Sequence, residues 1–178
     1  MKFGFGWKSW VFMGVAVALA GVALGQILAE APEPENALPV GPAAPDFALD
    51  SPDGSVMRLS DNKDRVVLIN FWATWCVPCL YELPHIQKLH ERYRNNGLTV
   101  LAINSDFDRA RVEPFMRKNG YTFPVLFADP GVQSDYDVRS IPTTYLVDRK
   151  GRLRYMQMGY GPDTEAELDW ALEQLLGR

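Results

Sequence analysis

The sequence predicts an α/β domain, a sheet covered on both faces by other elements. Two observations carry that prediction. Val66 to Trp72 is an apolar run, polar only at Asn70 and preceded by charge, the pattern of a strand buried on both faces. Around it, short β-branched and aromatic runs alternate with stretches of helical periodicity, punctuated by Gly, Pro and Asp. The 178 residues suffice for one domain with its own core, and no internal repeat is visible.

Two short alternating runs, Phe47 to Asp50 and Ser55 to Arg58, flank Ser51-Pro52-Asp53-Gly54, a hairpin signal. After the core strand comes a helix from Cys76 to about Asn95. Leu80, Leu83, Ile86, Gln87, Leu89, His90 and Tyr93 form its inward stripe, with Leu83, Ile86 and Leu89 as the spine. Pro84 should kink it and Gly97 should end it. Leu98 to Asn104 reads as a second buried strand. Asp108 to Asn119 reads as a helix weakened by Pro114 and stopped at Gly120. Phe123 to Ala128 is a short strand, Asp129-Pro130-Gly131 a turn, and Val132 to Val138 a short helical turn. Thr143 to Asp148 is a strand, and Asp148-Arg149-Lys150-Gly151 turns it into Arg152 to Met158, with Met156 and Met158 on one packed face. Gly159-Tyr160-Gly161-Pro162 breaks the chain. Thr164 with Glu167 forms a capping box for a last helix, whose apolar face is Leu168, Leu172, Leu175 and Leu176.

The N-terminus is of another kind. Trp10 to Ala29 carry no charge and are nearly all apolar. Twenty residues at helical rise span ~30 Å, the hydrocarbon thickness of a bilayer. Lys2 and Lys8 precede the run; Glu30, Glu33 and Glu35 follow it, which places the N-terminus in the cytoplasm and the remainder outside. A transmembrane anchor over residues 1–29 is the favoured reading. The rival is a cleaved signal peptide, for which Ala29-Glu30-Ala31 has the small-x-small form; against it stand Pro32 and the length of the run. No Cys follows the run, which excludes a lipid-anchored lipoprotein. Residues 30–45 contain Pro32, Pro34, Pro39, Pro42 and Pro45, a semi-rigid spacer of roughly 50 Å when extended. Residues 46–178 are the folded domain.

Charge narrows the partners. The chain has 18 basic and 22 acidic residues; two lysines and no acids lie in residues 1–29, so the outer part has 16 against 22. No basic stripe is visible, and nucleic acid is not an expected partner.

Cys76-Val77-Pro78-Cys79 holds the only two cysteines. They sit where the buried strand hands over to a helix N-terminus. There the unpaired N–H groups and the helix dipole favour negative charge, and Pro78 lacks a donor where none is needed. A thiolate at Cys76 is stabilised: a free Cys titrates near ~8.5, and this setting lowers it to about 7 or below. The site is suited to thiol–disulfide exchange. Zinc wants four ligands, and His85 and His90 are five apart and diverge on one helix, so no metal is expected. A purely structural bridge closing so short a loop stabilises little. In a compartment where disulfides persist, a chain with one such motif handles the disulfides of other proteins.

Trp75-Cys76-Val77-Pro78-Cys79, read with Ile141-Pro142-Thr143, resembles the thioredoxin superfamily, and more narrowly the membrane-anchored TlpA/ResA/CcmG-like thiol–disulfide oxidoreductases. Ala44-Pro45-Asp46-Phe47, Asp53-Gly54, Leu68 to Cys79, Glu82-Leu83-Pro84, Phe123-Pro124-Val125 and Ile141 to Asp148 match that pattern in order. The resemblance implies a thioredoxin-like fold: a central mixed sheet with helices on both faces, an extra N-terminal hairpin, and an insertion at about Phe107 to Val132. It implies a redox-active Cys76–Cys79 disulfide, with Cys76 the exposed attacking thiol and Cys79 the buried resolving one. Pro142 then resembles the cis-proline lying against the disulfide, with Ile141 backbone left free for an extended substrate. Trp75, Val77, Pro78, Ile141 and Thr143 are the expected substrate contacts. The superfamily's buried Asp six residues before the first Cys is here Asn70, which cannot take a proton. Glu82, three after Cys79 and so its neighbour on a helix, is the expected proton acceptor, with a pKa raised by partial burial.

No cofactor is implied. The expected activity is reduction of protein disulfides outside the cytoplasm, because Val77 adds no charge to stabilise a reduced, oxidant-type site. The resemblance suggests apocytochrome c or copper-site proteins as substrates, and a CcdA/DsbD-like membrane protein as electron donor. Two other functions compete. A thiol peroxidase shares the Pro45-Asp46-Phe47 opening, but it needs Thr or Ser three residues before the reactive Cys and Pro seven before, where Ala73 and Ile69 stand. A Cu(I)-binding protein would use both thiolates with Met156 and Met158.

Overall fold

A computed structural model describes residues 38–177 of the chain. The expected anchor or signal segment, 1–29, and residues 30–37 of the spacer lie outside the described residues.

The central sheet has five strands in the order β5-β4-β3-β6-β7. Its members are β3 (Val66–Trp72), β4 (Leu98–Asn104), β5 (Val125–Phe127), β6 (Thr143–Val147) and β7 (Leu153–Met158). β3 runs parallel to β4 and antiparallel to β6, β4 is parallel to β5, and β6 is antiparallel to β7. The sheet is therefore mixed, as the resemblance implies. A separate antiparallel hairpin, β1 (Ala48–Asp50) with β2 (Val56–Arg58), precedes it. Its turn closes where Gly54 takes φ +83°, a conformation glycine reaches without strain.

Every residue of β3 is buried, and its alternation sorts the core into two layers. Val66, Leu68 and Trp72 face one layer; Val67, Ile69 and Phe71 face the other. The first layer is completed by helices α1 (Val77–Tyr93), α2 (Val112–Asn119) and α4 (Thr164–Leu176), through Leu83, Ile86, Leu89, Met116, Leu168 and Leu172. The second is covered by the hairpin residues Phe47 and Leu49, by Leu59, and by Val132 and Tyr136 at the short helix α3 (Pro130–Asp135). Each fully buried Leu, Ile or Phe contributes roughly 1.5–3 kcal/mol, so β3 is the element on which both layers depend.

Several expectations are corrected. Leu59–Asn62 forms a 3-10 turn that the sequence reading left out. Asp129-Pro130-Gly131 is the start of α3: the Asp129 carboxylate caps Gly131 N–H at 2.8 Å, and Pro130 takes the first helical position, where it needs no donor. Arg109–Arg111 is a 3-10 turn leading into α2, and Pro114 falls in the first turn of α2, where a missing N–H does no harm. The capping box does not form. Thr164 Oγ1 accepts from Gly161 N and Gln157 Nε2, and α4 has no side-chain cap. Met156 and Met158 share one side of β7, but they are exposed.

The spacer ends earlier than expected. Gly41 N–H donates to Leu153 O, Leu153 N–H to Pro42 O and Ala44 N–H to Gly151 O, each within 3.0 Å. Arg154 holds the carbonyls of Leu38 and Pro39, and Leu38 is buried in the core. Residues 38–45 thus belong to the folded unit. Extended, proline-rich backbone is already shaped to lie along a sheet edge, and its prolines do without the donors that face away.

Candidate active site

β3 delivers the chain to the site. After Trp72 the backbone turns through Ala73, Thr74 and Trp75, closed by Cys76 N–H donating to Ala73 O at 3.2 Å. Cys76 is the N-cap of α1, and its Sγ accepts from Cys79 N–H at 3.3 Å. A sulfur therefore occupies the place of the usual capping oxygen and meets a donor the helix leaves unpaired. Cys76 and Cys79 are joined by a disulfide, with their Cα atoms 5.3 Å apart. Both are buried, Cys76 at 5% exposure and Cys79 at 0%. Cys76 is thus less exposed than expected, but it remains the more exposed of the two cysteines.

The Ile141–Pro142 peptide is cis. Ile141 O lies 3.6 Å from Cys76 Sγ, so the loop before β6 sits against the disulfide. Pro142 is buried and its carbonyl accepts from Gly159 N–H at 2.7 Å. Trp75 and Val77 are largely exposed, and Pro78 is exposed between the cysteines. Thr143 is fully buried and its hydroxyl donates to Ser140 O at 2.7 Å, so it braces the loop and offers no side-chain contact to a partner. The expected contact set loses that one member. A hollow of about 280 Å³ lined by Thr74, Trp75, Arg111 and Phe115 opens beside the thiols. A larger one of about 390 Å³ lies at the opposite end of β3, by Val67 and Arg149, remote from the chemistry.

Beneath the disulfide, on the α1 side of the sheet, lies a closed polar ring. Asn70 Nδ2 donates to Glu82 Oε2 at 2.9 Å and to Thr144 Oγ1 at 2.8 Å. Thr144 Oγ1 donates to Glu82 Oε1 at 2.8 Å. Glu82 is 1% exposed. Burial pushes its pKa up from 4.5 to about 7, against the two hydrogen bonds, which favour the carboxylate. Its burial is thus more complete than expected. Asn70 Oδ1 is buried without a partner among the described residues. Asn70 and Thr144 are register partners on β3 and β6, so strand pairing sets the ring. Thr144 escaped the sequence reading because its tie to Asn70 spans 74 residues.

α1 is fastened to α4 by His85, whose Nε2 lies 2.8 Å from Asp169 and Nδ1 3.3 Å from Glu165. His90 points elsewhere, its ring edge-on to Phe123. The two histidines diverge as their spacing predicts. Tyr81, exposed on α1, stacks on Tyr160 at 6.3 Å.

Known proteins are similar to this chain in sequence and in fold. The AhpC/TSA family matches residues 40–156. The chain is 34% identical over 163 residues to the thioredoxin-like protein YneN of Bacillus subtilis, covering 90% of this chain and 95% of that protein. It is 36% identical over 142 residues to the thiol-disulfide oxidoreductase ResA of Geobacillus kaustophilus, covering 79% and 80%. A crystal structure of a thiol:disulfide interchange protein of the thioredoxin family, from Chlorobium tepidum, superposes with a TM-score of 0.69 at 25% identity, covering 77% and 97%.

Proposed function

Since the chain belongs to the AhpC/TSA family and is a thiol–disulfide oxidoreductase acting on proteins, we propose that it reduces disulfides of extracytoplasmic proteins from a membrane-anchored position. The carrying observation is Cys76 Sγ resting on Cys79 N–H at the start of α1, which favours a thiolate there. In the reduced protein the Cys76 thiolate attacks one sulfur of the substrate disulfide, and the substrate's other sulfur leaves as thiolate. Cys79 gives its proton to Glu82 and attacks Cys76 Sγ, expelling the second substrate thiolate. Two electrons have then passed to the substrate, and the protein is left with the Cys76–Cys79 bridge. Trp75, Val77, Pro78 and the Ile141 backbone, all flanking the bridge, receive the substrate.

The reducing direction is supported by Val77, which adds no charge to favour the dithiol. The charge asymmetry around residues 10–29 supports the topology. Reducing power outside the cytoplasm has to come through the membrane, so a CcdA/DsbD-like thiol transporter is the proposed donor. Apocytochrome c haem-site cysteines or copper-site proteins are the proposed substrates. The test is capture in cells with Cys79→Ser, which leaves the mixed disulfide unresolved. Trapped extracytoplasmic proteins with Cys pairs are expected; a trap that captures none through Cys76 refutes the reading.

A further inference from the structure

Thr74, two residues before Cys76, is held from outside its own segment. Asp106, in the loop after β4, is 8% exposed. Its Oδ2 accepts from Thr74 N–H at 2.8 Å and from Asn104 Nδ2 at 2.7 Å. Its Oδ1 accepts from the Thr74 hydroxyl at 2.6 Å. Three donors thus converge on one carboxylate, at the distances of charge-assisted bonds. The loop carrying Asp106 is itself fixed. Asp106 N–H donates to Asn104 Oδ1, Ser105 N–H donates to Trp72 O, and Gln133 Nε2 donates to Ser105 Oγ. Asn104 is the last residue of β4 and the register partner of Trp72, the last of β3. The turn Ala73–Cys76 is therefore pinned to the end of the sheet at its second residue, while α1 begins at its other end.

We propose that Asp106 is a positioning residue for Cys76: by holding both polar groups of Thr74 it fixes the turn that sets Cys76 Sγ on Cys79 N–H. This rests on the reading of Cys76 as the attacking thiol. Nothing else among the described residues bonds the Thr74 N–H or hydroxyl. Without the carboxylate, a partly buried backbone donor loses its partner and the turn is free to relax toward water.

The role is separable from that of Asp106 as a charge, because the two act with opposite sign. A negative charge near a thiol disfavours the thiolate, so its removal alone lowers the thiol pKa. Loss of positioning raises it, since Sγ drifts from its donor. The experiment is the pH profile of alkylation of the reduced full-length protein with iodoacetamide, with the labelled cysteine mapped by mass. In Asp106→Ala the apparent pKa of Cys76 should rise by about one unit, a tenfold loss of thiolate below that pH. Asp106→Asn presents an oxygen to Thr74 N–H and an NH2 to the Thr74 hydroxyl, and should restore the profile to within about twofold. Thr74→Val, which loses only the hydroxyl bond, should give a smaller rise, and it decides alone should Asp106→Ala not fold. An unchanged or lowered pKa in Asp106→Ala (or in Thr74→Val when read alone), or equal shifts in Asp106→Ala and Asp106→Asn, overturns the proposal. First labelling of Cys79 in the wild type overturns instead the reading of Cys76 on which it rests.

Discussion

Glu82→Gln should make the protein more stable at alkaline pH while impairing its chemistry. The folded state holds the Glu82 proton more tightly than the unfolded chain does, with a pKa raised from 4.5 to about 7 by burial. A raised carboxyl contributes stability in full below about pH 4.5, and that contribution is lost as pH rises through about 7. The gap is about 2.5 pH units at 1.36 kcal/mol each, or about 3 kcal/mol. Glutamine has no proton to lose, so its curve lacks that decline. It also fits the ring: its amide oxygen accepts from Asn70 Nδ2 where Oε2 did, and its NH2, in place of Oε1, donates to Thr144 Oγ1. Urea unfolding of the oxidised wild type and variant from pH 4.5 to 8.5 measures the effect, because other titrating groups cancel in the difference. The variant should gain about 3 kcal/mol relative to wild type across that range. A difference that stays constant to within about 1 kcal/mol would show that Glu82 does not titrate there, and the reasoning would fail. In stopped-flow reduction of a model disulfide, the same variant should slow release by roughly ten- to a thousandfold, the scale of a lost general base. Rates and pH profiles identical to wild type would remove Glu82 from the proton path.

Four further outcomes are expected. Alkylation of the reduced protein at mildly acidic pH should mark Cys76 before Cys79, since only Cys76 caps α1; peptide mapping decides, and the reverse order refutes the assignment. The reduced protein with a recycling reductant should not consume hydrogen peroxide at catalytic rates, because the positions three and seven before Cys76 are the buried Ala73 and Ile69; steady turnover of peroxide would restore the peroxidase reading. In intact cells Cys76 should react with a membrane-impermeant thiol reagent after reduction, and protection relieved only by lysis would contradict the extracytoplasmic orientation. Leu38→Ala should destabilise the domain by about 2–5 kcal/mol, as for a buried leucine, whereas a spacer residue would change the melting midpoint by nothing measurable.

The central strands were legible because their signal is local. Val66–Trp72 and Leu98–Asn104 are largely apolar runs, the first interrupted by Asn70 and the second by Thr99 and ending on Asn104, and both strands fill those limits. Cys76 and Cys79 stand in a motif whose spacing lets the two sulfurs close a bridge, and Pro142 was legible through the family resemblance at Ile141-Pro142-Thr143. What escaped was set by long-range pairing. Asp106 meets Thr74 across 32 residues and Thr144 meets Glu82 across 62, and neither residue type is distinctive in its own neighbourhood. From the sequence Asn70 is only a residue unable to accept a proton; its role as the donor to Glu82 depends on β6 lying beside β3. The capping box failed because α4 starts one residue earlier than the box requires: Asp163 is the N-cap, and the Thr164 hydroxyl accepts from Gly161 N–H and from Gln157 on β7. The five prolines of residues 30–45 predict an extended chain; its part from Leu38 is extended, but it lies along the edge of β7 instead of standing free.

The enclosure of the bridge reaches beyond the molecule. With Cys76 5% exposed and Cys79 fully covered, a small thiol diffusing in the surroundings meets almost no sulfur to strike. Exchange rates depend on such access as much as on driving force. Under the proposed function, a protein partner seated over Trp75, Val77 and Ile141 holds its thiolate at the target long enough to react. The oxidised bridge is then opened faster by such a partner than by a small thiol of equal reducing power.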